Sequence, residues 1–314
     1  MTPVRIGTRT SALARWQTDH VVGLWRLVEP ALEVEVVPFS TVGDDLAEAP
    51  LEVMDGTGFF SSTLERALLD GAIDVAVHSF KDLPVASTPG VEVACVPERG
   101  PVEDTLCARD GLQLQDLPAD SLVGTSSPRR TAQLRRRRPD LRYVSLRGNV
   151  PTRLGRVEKG ELDAVVLARA GLERLGLGSR ITQVFAADDV LPAPAQGALA
   201  IQTRDEDGPL RQRLAALEHA PTRLAVLAER EVLHQLRGGC SVPVGAFARV
   251  EADQVHVDAG VFALEGSPAF RSTATGHDPR VAGAEAAQRL LEQGAGAILE
   301  AMDRLPRWVM EPRP

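Results

Sequence analysis

The chain lacks the marks of several common protein classes, and each absence narrows its function. No apolar run approaches the roughly 20 residues needed to cross a bilayer, and the start of the sequence lacks the charged-then-apolar layout of a secretion signal. A cytoplasmic location with no membrane partner is expected. The phosphate-loop lysine motif, the metalloprotease helix signature and the nucleophile-elbow serine are all missing, so the common enzyme templates fit poorly. Lysine is nearly missing too: only Lys81 and Lys159 occur among 35 lysine and arginine residues. With a net charge of -8 the chain has no excess of positive charge for a general nucleic-acid surface, which would be basic over a whole face. Nucleic acid is not an expected partner.

Cysteine is scarce. The three residues Cys95, Cys107 and Cys240 show no metal-ligand spacing, and their odd number in a reducing compartment speaks against a structural disulfide. No metal is expected. Cys95, in the apolar run 91–96, and Cys107, in 105–108, read as packed core thiols. Cys240 follows Gly238-Gly239, which gives it backbone freedom and little side-chain cover. It reads as reachable, with a small buried filler as the alternative.

At 314 residues the chain exceeds one core, so two or three domains are expected. Hydrophobic residues at 44% and charged residues at 25% describe an ordinary globular protein. Residues 4–6 read as a strand, Ala14, Val21, Leu24, Trp25 and Val28 follow helical spacing, and 34–39 alternates as a second strand. The capping-box form Ser62-Thr63-Leu64-Glu65 predicts a helix from there to about Gly71, followed by a buried strand over 73–77. This βαβ grammar restarts after 97–101. Strands are predicted near Thr105 and over 122–124, 143–146 and 164–167, with helices beginning at Pro128, near Pro151 and at Gly171. The segment 191–197 reads as a crossing before a strand over 198–202, and a helix over 222–236 leads to Cys240. Beyond Val242, alternating runs such as 255–257 and a last helix over 281–302 predict a small α+β domain. Two similar α/β units are implied, with ligand in a cleft at the carboxyl ends of strands.

Arginine is placed where the anion-binding argument is strongest. The turns Gly7-Thr8-Arg9-Thr10-Ser11, Gly124-Thr125-Ser126-Ser127-Pro128-Arg129-Arg130 and Arg147-Gly148-Asn149-Val150-Pro151-Thr152-Arg153 each sit at a strand-to-helix junction. A helix N-terminus offers unpaired N–H groups and partial positive charge, so arginine there is disfavoured by roughly 0.3–1 kcal/mol unless an anion binds. Repetition at three turns points to a polyanionic ligand. The basic run Arg135 to Arg138 instead precedes Pro139 and suits a solvated helix C-terminus. After the strand 73–77 comes His78-Ser79-Phe80-Lys81-Asp82-Leu83-Pro84. Asp82 there either stabilises a developing cation or only bonds the backbone of a turn.

These stretches, with Leu167-Ala168-Arg169-Ala170-Gly171-Leu172, Pro194-Ala195-Gln196-Gly197 and Gly238-Gly239-Cys240, resemble in order the porphobilinogen deaminase (hydroxymethylbilane synthase) family from near residue 4 to about 250. The resemblance implies two periplasmic-binding-protein-like α/β lobes with mixed sheets plus a small α+β C-terminal domain. Domain bounds of 1–98 with 198–215, 103–192 and 219–314 are expected. It implies a cytoplasmic, monomeric transferase of heme and tetrapyrrole biosynthesis that joins porphobilinogen units with release of ammonia and passes its product to the next tetrapyrrole enzyme. By motif match Asp82 is catalytic, and Cys240 holds a dipyrromethane cofactor by a thioether. Lys81, Thr125, Ser126, Ser127, Arg129 and Arg130 surround that cofactor. Arg9, Ser11, Phe60, Arg147, Arg153, Arg174 and Gln196 meet the substrate. Val53 and Thr57 stand where the family commonly has lysines, and Phe80 where methionine is common. The competing reading is a noncatalytic two-lobed anion-binding protein, which explains the arginine turns but not a reachable Cys240 beside Asp82.

Overall fold

The computed structural model describes residues 3–40, 59–236 and 242–304. The chain divides into one compact unit of Met1–Gly100 with Gly197–Arg223 and a second of Pro101–Gln196 with Leu224–Pro314. The first unit opens with β1 (Val4–Arg9), α1 (Ala12–Val28), β2 (Val34–Phe39), α2 (Phe59–Leu69), β3 (Val75–Ser79) and β4 (Val91–Cys95). The second follows with β5 (Asp104–Ala108), β6 (Leu122–Gly124), α3 (Pro128–Arg137), β7 (Arg142–Val144), α4 (Val150–Glu158), β8 (Ala164–Ala168), α5 (Arg169–Arg174) and β9 (Gln183–Val184). The chain returns to the first unit through β10 (Leu199–Arg204) and α6 (Gly208–Leu214). Helix α7 (Ala220–Gln235) leads back to the second, completed by β11 (Val244–Glu251), β12 (Gln254–Phe262), β13 (Ala269–Gly276), α8 (Pro279–Glu292) and α9 (Gly296–Arg304).

The two larger sheets share one plan. Their strand orders are β2-β1-β3-β10-β4 and β7-β6-β8-β5-β9. In each, the first three members run parallel and the fourth runs antiparallel to both neighbours. The fourth strand enters last in the first unit and first in the second. Period-two alternation covers both faces. Val75 and Val77 pack with Val21 and Trp25 of α1, whereas Ala76 packs with Leu64 and Leu68 of α2. In the second unit Ala164 and Val166 meet Leu134 of α3, and Val165 and Leu167 meet Leu154 of α4. A third sheet, β11-β12-β13, is antiparallel, and its apolar face packs on α7 and α8 through Val257, Val232 and Leu290.

Glycine opens room for this packing at equivalent points of the two larger sheets. A Cβ on Gly7 in β1 would come within 2.4 Å of Ile73, and one on Gly124 at the end of β6 within 2.8 Å of Leu162. The arginine turns follow directly from these glycines. Two sequence expectations shift. Helix α2 begins at Phe59, not at the Ser62 capping box, because Glu65 turns into the protein instead of back to a cap: it accepts from Gln202 Nε2 at 3.0 Å and Thr88 Oγ1 at 2.9 Å. The single helix expected over 281–302 is two, α8 and α9, parted at Gly294, whose φ of +102° a helix cannot contain. No helix among the described residues is long and apolar enough to cross a membrane.

Close packing makes one glycine substitution costly and another beneficial. A Cβ on Gly283 in α8 would lie 2.4 Å from the Ala228 carbonyl of α7, whereas one on Gly155 in α4 meets nothing within 4 Å. Gly283→Ala is expected to destabilise by about 1–3 kcal/mol, and Gly155→Ala to stabilise by about 0.5–1 kcal/mol through helix propensity. Urea midpoints of both variants check the pair.

Candidate active site

Parallel strands β1 and β3 end at one edge of the first sheet, so Arg9 and the Ser79–Asp82 segment emerge together. Arg9 is half-buried ahead of α1. Ser11 caps that helix, its hydroxyl oxygen accepting from Ala14 N at 3.3 Å. Inside α1 the buried Gln17 donates Nε2 to Ser79 Oγ at 2.7 Å and ties the helix to the end of β3. A single 3-10 turn, Phe80–Asp82, follows. Phe80 and Leu83 are buried and anchor the turn, Lys81 is half-buried and Asp82 is exposed. The Asp82 carboxylate makes no hydrogen bond or ion pair among the described residues, so it is not occupied with the backbone of its own turn. His78, in β3, is buried. Burial, with the Arg9 charge adding to it, pushes that imidazole down to about 4, while a contact with Gln202 works weakly the other way. His78 is neutral at physiological pH.

The second unit gathers positive charge. Pro128 fits the first position of α3, where its missing N–H costs nothing, and Ser127 caps the helix by accepting from Arg130 N at 3.4 Å. Arg129 and Arg130, in that first turn, are both buried and converge on the wholly buried Asp104 at the start of β5. Asp104 Oδ2 accepts from Arg129 Nη1 at 2.7 Å. Its Oδ1 accepts from Arg130 Nε at 2.9 Å, Arg130 Nη2 at 2.6 Å and Gln196 Nε2 at 2.9 Å. Arg130 Nη1 also donates to the Val166 carbonyl at 3.0 Å and Arg129 Nη1 to that of Leu191 at 2.5 Å. Ser126 bonds the backbone of Leu146, and Thr125 Oγ1 accepts from Ser127 N at 3.3 Å, so both hydroxyls hold the turn itself.

The electrostatics of this cluster leave positive charge over. Burial alone would raise the Asp104 carboxyl, but Arg129 and Arg130 outweigh it and hold the group well below the usual carboxylate range. Arg129 is lowered: burial and Arg130 disfavour its charge, and Asp104 compensates only in part. One carboxylate serves two cations, which reconciles the two directions. Arg153, on α4, donates Nε to the Gly148 carbonyl at 2.7 Å, and burial with the Arg130 charge pushes it down to about 10. Burial does the same to Arg174 on α5, again to about 10. Arg147 is half-buried at the same turn as Gly148. An arrangement that disfavours several guanidinium charges accepts an anion readily.

Sequence reasoning singles out the arginines but not what orders them. Asp104 is a lone carboxylate at the head of an apolar strand, and Gln17 a polar residue on the buried side of a helix. Glu229 lies in the buried stripe of α7 with Ala225, Ala228 and Val232; it accepts from Ala195 N at 2.7 Å and Ala248 N at 2.8 Å. That grip holds Ala195 at a φ of +62°, strained for a residue with a Cβ, and sets the turn that delivers Gln196. An acidic residue inside an apolar stripe is a sequence signal for such a clamp. Cys95 and Cys107 are buried, and burial raises their thiols to about 12 and about 11. Cys240, Val53 and Thr57 lie outside the described residues, as does the Phe60 side chain.

Comparison with known proteins gives consistent matches. A family model described as porphobilinogen deaminase, dipyromethane cofactor binding domain, matches residues 4–212, and one described as porphobilinogen deaminase, C-terminal domain, matches 223–292. A porphobilinogen deaminase from Thermobifida fusca (strain YX) is 49% identical over 310 residues, covering 95% of this chain and 96% of its own length. Among solved structures, a putative methionine-binding lipoprotein from Bacillus subtilis aligns over 70% of this chain and 92% of its own at 12% identity and a TM-score of 0.43. The BvgS VFT2 domain of Bordetella pertussis aligns over 68% and 85% at 19% identity and a TM-score of 0.40.

The depressed imidazole fixes a pH dependence. Between about 4 and the ordinary value of 6.5, His78 is neutral when folded and protonated when unfolded. The unfolded state binds the extra proton, so this contribution is full above 6.5 and is lost as pH falls toward 4, by up to about 3 kcal/mol. Urea midpoints between pH 7 and 4.5 are expected to fall more steeply for the natural chain than for His78→Gln.

Proposed function

The chain belongs to the porphobilinogen deaminase family, and from that premise we propose how its residues act. The family's enzyme, hydroxymethylbilane synthase, is a transferase of tetrapyrrole biosynthesis: it joins four porphobilinogen units head to tail, loses ammonia at each addition and releases a linear tetrapyrrole by hydrolysis. When bound, the dipyrromethane cofactor supplies the free pyrrole α-carbon from which the product grows.

What carries the residue assignment is the surplus of buried guanidinium charge in the second unit. Each porphobilinogen brings an acetate and a propionate, and such carboxylates are prohibitive to bury without partners. Arg129 Nε and Nη2 make no other bond among the described residues and are directed to cofactor carboxylates. Burial disfavours the charges of Arg153 and Arg174, and a carboxylate lying against them offsets that cost. Arg9, Ser11 and Arg147 extend the same recognition to the incoming substrate, with Phe60 as an apolar wall. Thr125, Ser126 and Ser127 shape the turn that presents Arg129 and Arg130. Cys240 holds the cofactor by a thioether. A carboxylate-rich oligomer fits this donor set.

Asp82 contributes a fixed negative charge. Its unoccupied carboxylate accepts pyrrole N–H groups and stabilises the positive charge that develops as ammonia leaves and as the new carbon–carbon bond forms. Neutral His78 could not supply that permanent charge. Lys81, its neighbour in the turn, meets a cofactor carboxylate. Three domains, with bounds near those of the sequence reading, and a cytoplasmic monomer that passes hydroxymethylbilane to the next enzyme complete the proposal.

Three measurements test it. Intact mass is expected to exceed the sequence mass by one dipyrromethane, removed by Cys240→Ser. With Cys95 and Cys107 buried, the loaded native protein should react with no thiol reagent, and the unfolded protein with two of its three cysteines. Asp82→Asn should retain the adduct while kcat drops about 10²-fold or more. An unmodified Cys240 in active protein, or full turnover by Asp82→Asn, overturns the assignment.

A further inference from the structure

Three residues that the sequence directs toward the ligand meet on one carboxylate it does not single out. Asp104 has no solvent exposure and its two oxygens accept four hydrogen bonds, from Arg129, Arg130 twice, and Gln196, at 2.6 to 2.9 Å. Its backbone is fixed independently, since β5 pairs with β8 at Asp104↔Ala168 and Phe185 N donates to the Asp104 carbonyl at 3.0 Å. Thr105 next to it donates Oγ1 to the Leu167 carbonyl at 3.1 Å. The carboxylate is therefore fixed at the start of β5, and three long side chains from α3 and the 191–197 segment are aligned against it.

The two guanidinium groups are held to different extents. Arg130 commits Nε and Nη2 to Asp104 and Nη1 to Val166, so it is locked by three of its nitrogens. Arg129 commits Nη1 alone, to Asp104 and Leu191, and its Nε and Nη2 make no bond among the described residues. Without Asp104 a long flexible arginine loses the contact that selects one rotamer, and two buried like charges repel with no anion between them.

We propose that Asp104 is the positioning residue of the cofactor site: it orients Arg129, Arg130 and Gln196 and neutralises one of two buried guanidinium charges, leaving the remaining positive charge to a ligand carboxylate. It touches no substrate itself. The inference rests on the reading that Arg129 and Arg130 serve the cofactor, and extends it to a residue buried behind them.

The test is the rate at which full-length chain, produced in cells that make no porphobilinogen, acquires the dipyrromethane adduct when porphobilinogen is added, followed by intact mass. Asp104→Asn keeps the shape and removes the charge; it should load at least tenfold more slowly at a temperature where circular dichroism shows it folded. Asp163→Asn is the structural control, because Asp163 accepts from Leu122 N at 2.7 Å and pairs with Arg109 at the other end of β8, away from the arginine pair. It should lose stability yet load at the natural rate. If Asp104→Asn does not fold, Asp104→Glu, which keeps the charge and displaces it by one methylene, decides by the same tenfold criterion.

Loading less than tenfold slower overturns the inference, and so does a loss that Asp163→Asn shares in proportion to its melting temperature. Arg129→Gln and Arg130→Gln separate the two levels. If they load normally, the reading of the arginines fails; if they load slowly while the Asp104 variant does not, only the role of Asp104 fails.

Discussion

A guanidinium group cannot be left inside a protein without an anion, and much of the second unit is organised by that constraint. Transfer of an unpaired ion out of water costs several kcal/mol even after relaxation. Here Arg129 and Arg130 are buried together against a single carboxylate, and Arg153 lies close enough to Arg130 to feel its charge. The protein alone leaves the balance positive. On the proposed reading a ligand rich in carboxylates restores it, and recognition and stability in this region become the same electrostatic problem viewed with and without the ligand.

Both larger sheets solve the placement problem in the same way. A glycine in the strand ahead of a helix admits side chains packed against it, the chain turns, and a serine caps that helix: Gly7 and Ser11 in one unit, Gly124 and Ser127 in the other. What each turn carries differs. In the first unit the neighbouring parallel strand carries a histidine that burial keeps neutral and leads to the exposed carboxylate of Asp82. In the second, two arginines fold inward onto Asp104. One plan yields a free negative charge and, separately, a surplus of positive charge, the two features a reaction of carboxylate-bearing pyrroles passing through cationic species requires.

How much of this the sequence discloses depends on whether a residue's role is local. The βαβ order, the strand over 34–39, the helix opened by Pro128 and the burial of Cys95 and Cys107 follow from periodicity, ring geometry and residue type, all local properties. The arginine turns are legible because arginine in a helix's first turn is electrostatically disfavoured. The capping box at Ser62 misleads because Glu65 has a better use 137 residues away, on Gln202. Asp104 and Glu229 are opaque for the same reason. Each is an ordinary acidic residue until the fold brings distant donors to it: Arg129 and Gln196 in one case, Ala195 and Ala248 in the other.

The central claim is that the uncompensated guanidinium charge is met by ligand carboxylate, and a crystal structure of the loaded enzyme tests it most directly. The expected result has cofactor carboxylate oxygens within about 3 Å of Arg129 and Arg153, with Asp104 still bound between Arg129 and Arg130. Cofactor carboxylates turned to solvent, with those arginines paired elsewhere in the protein, would contradict the account.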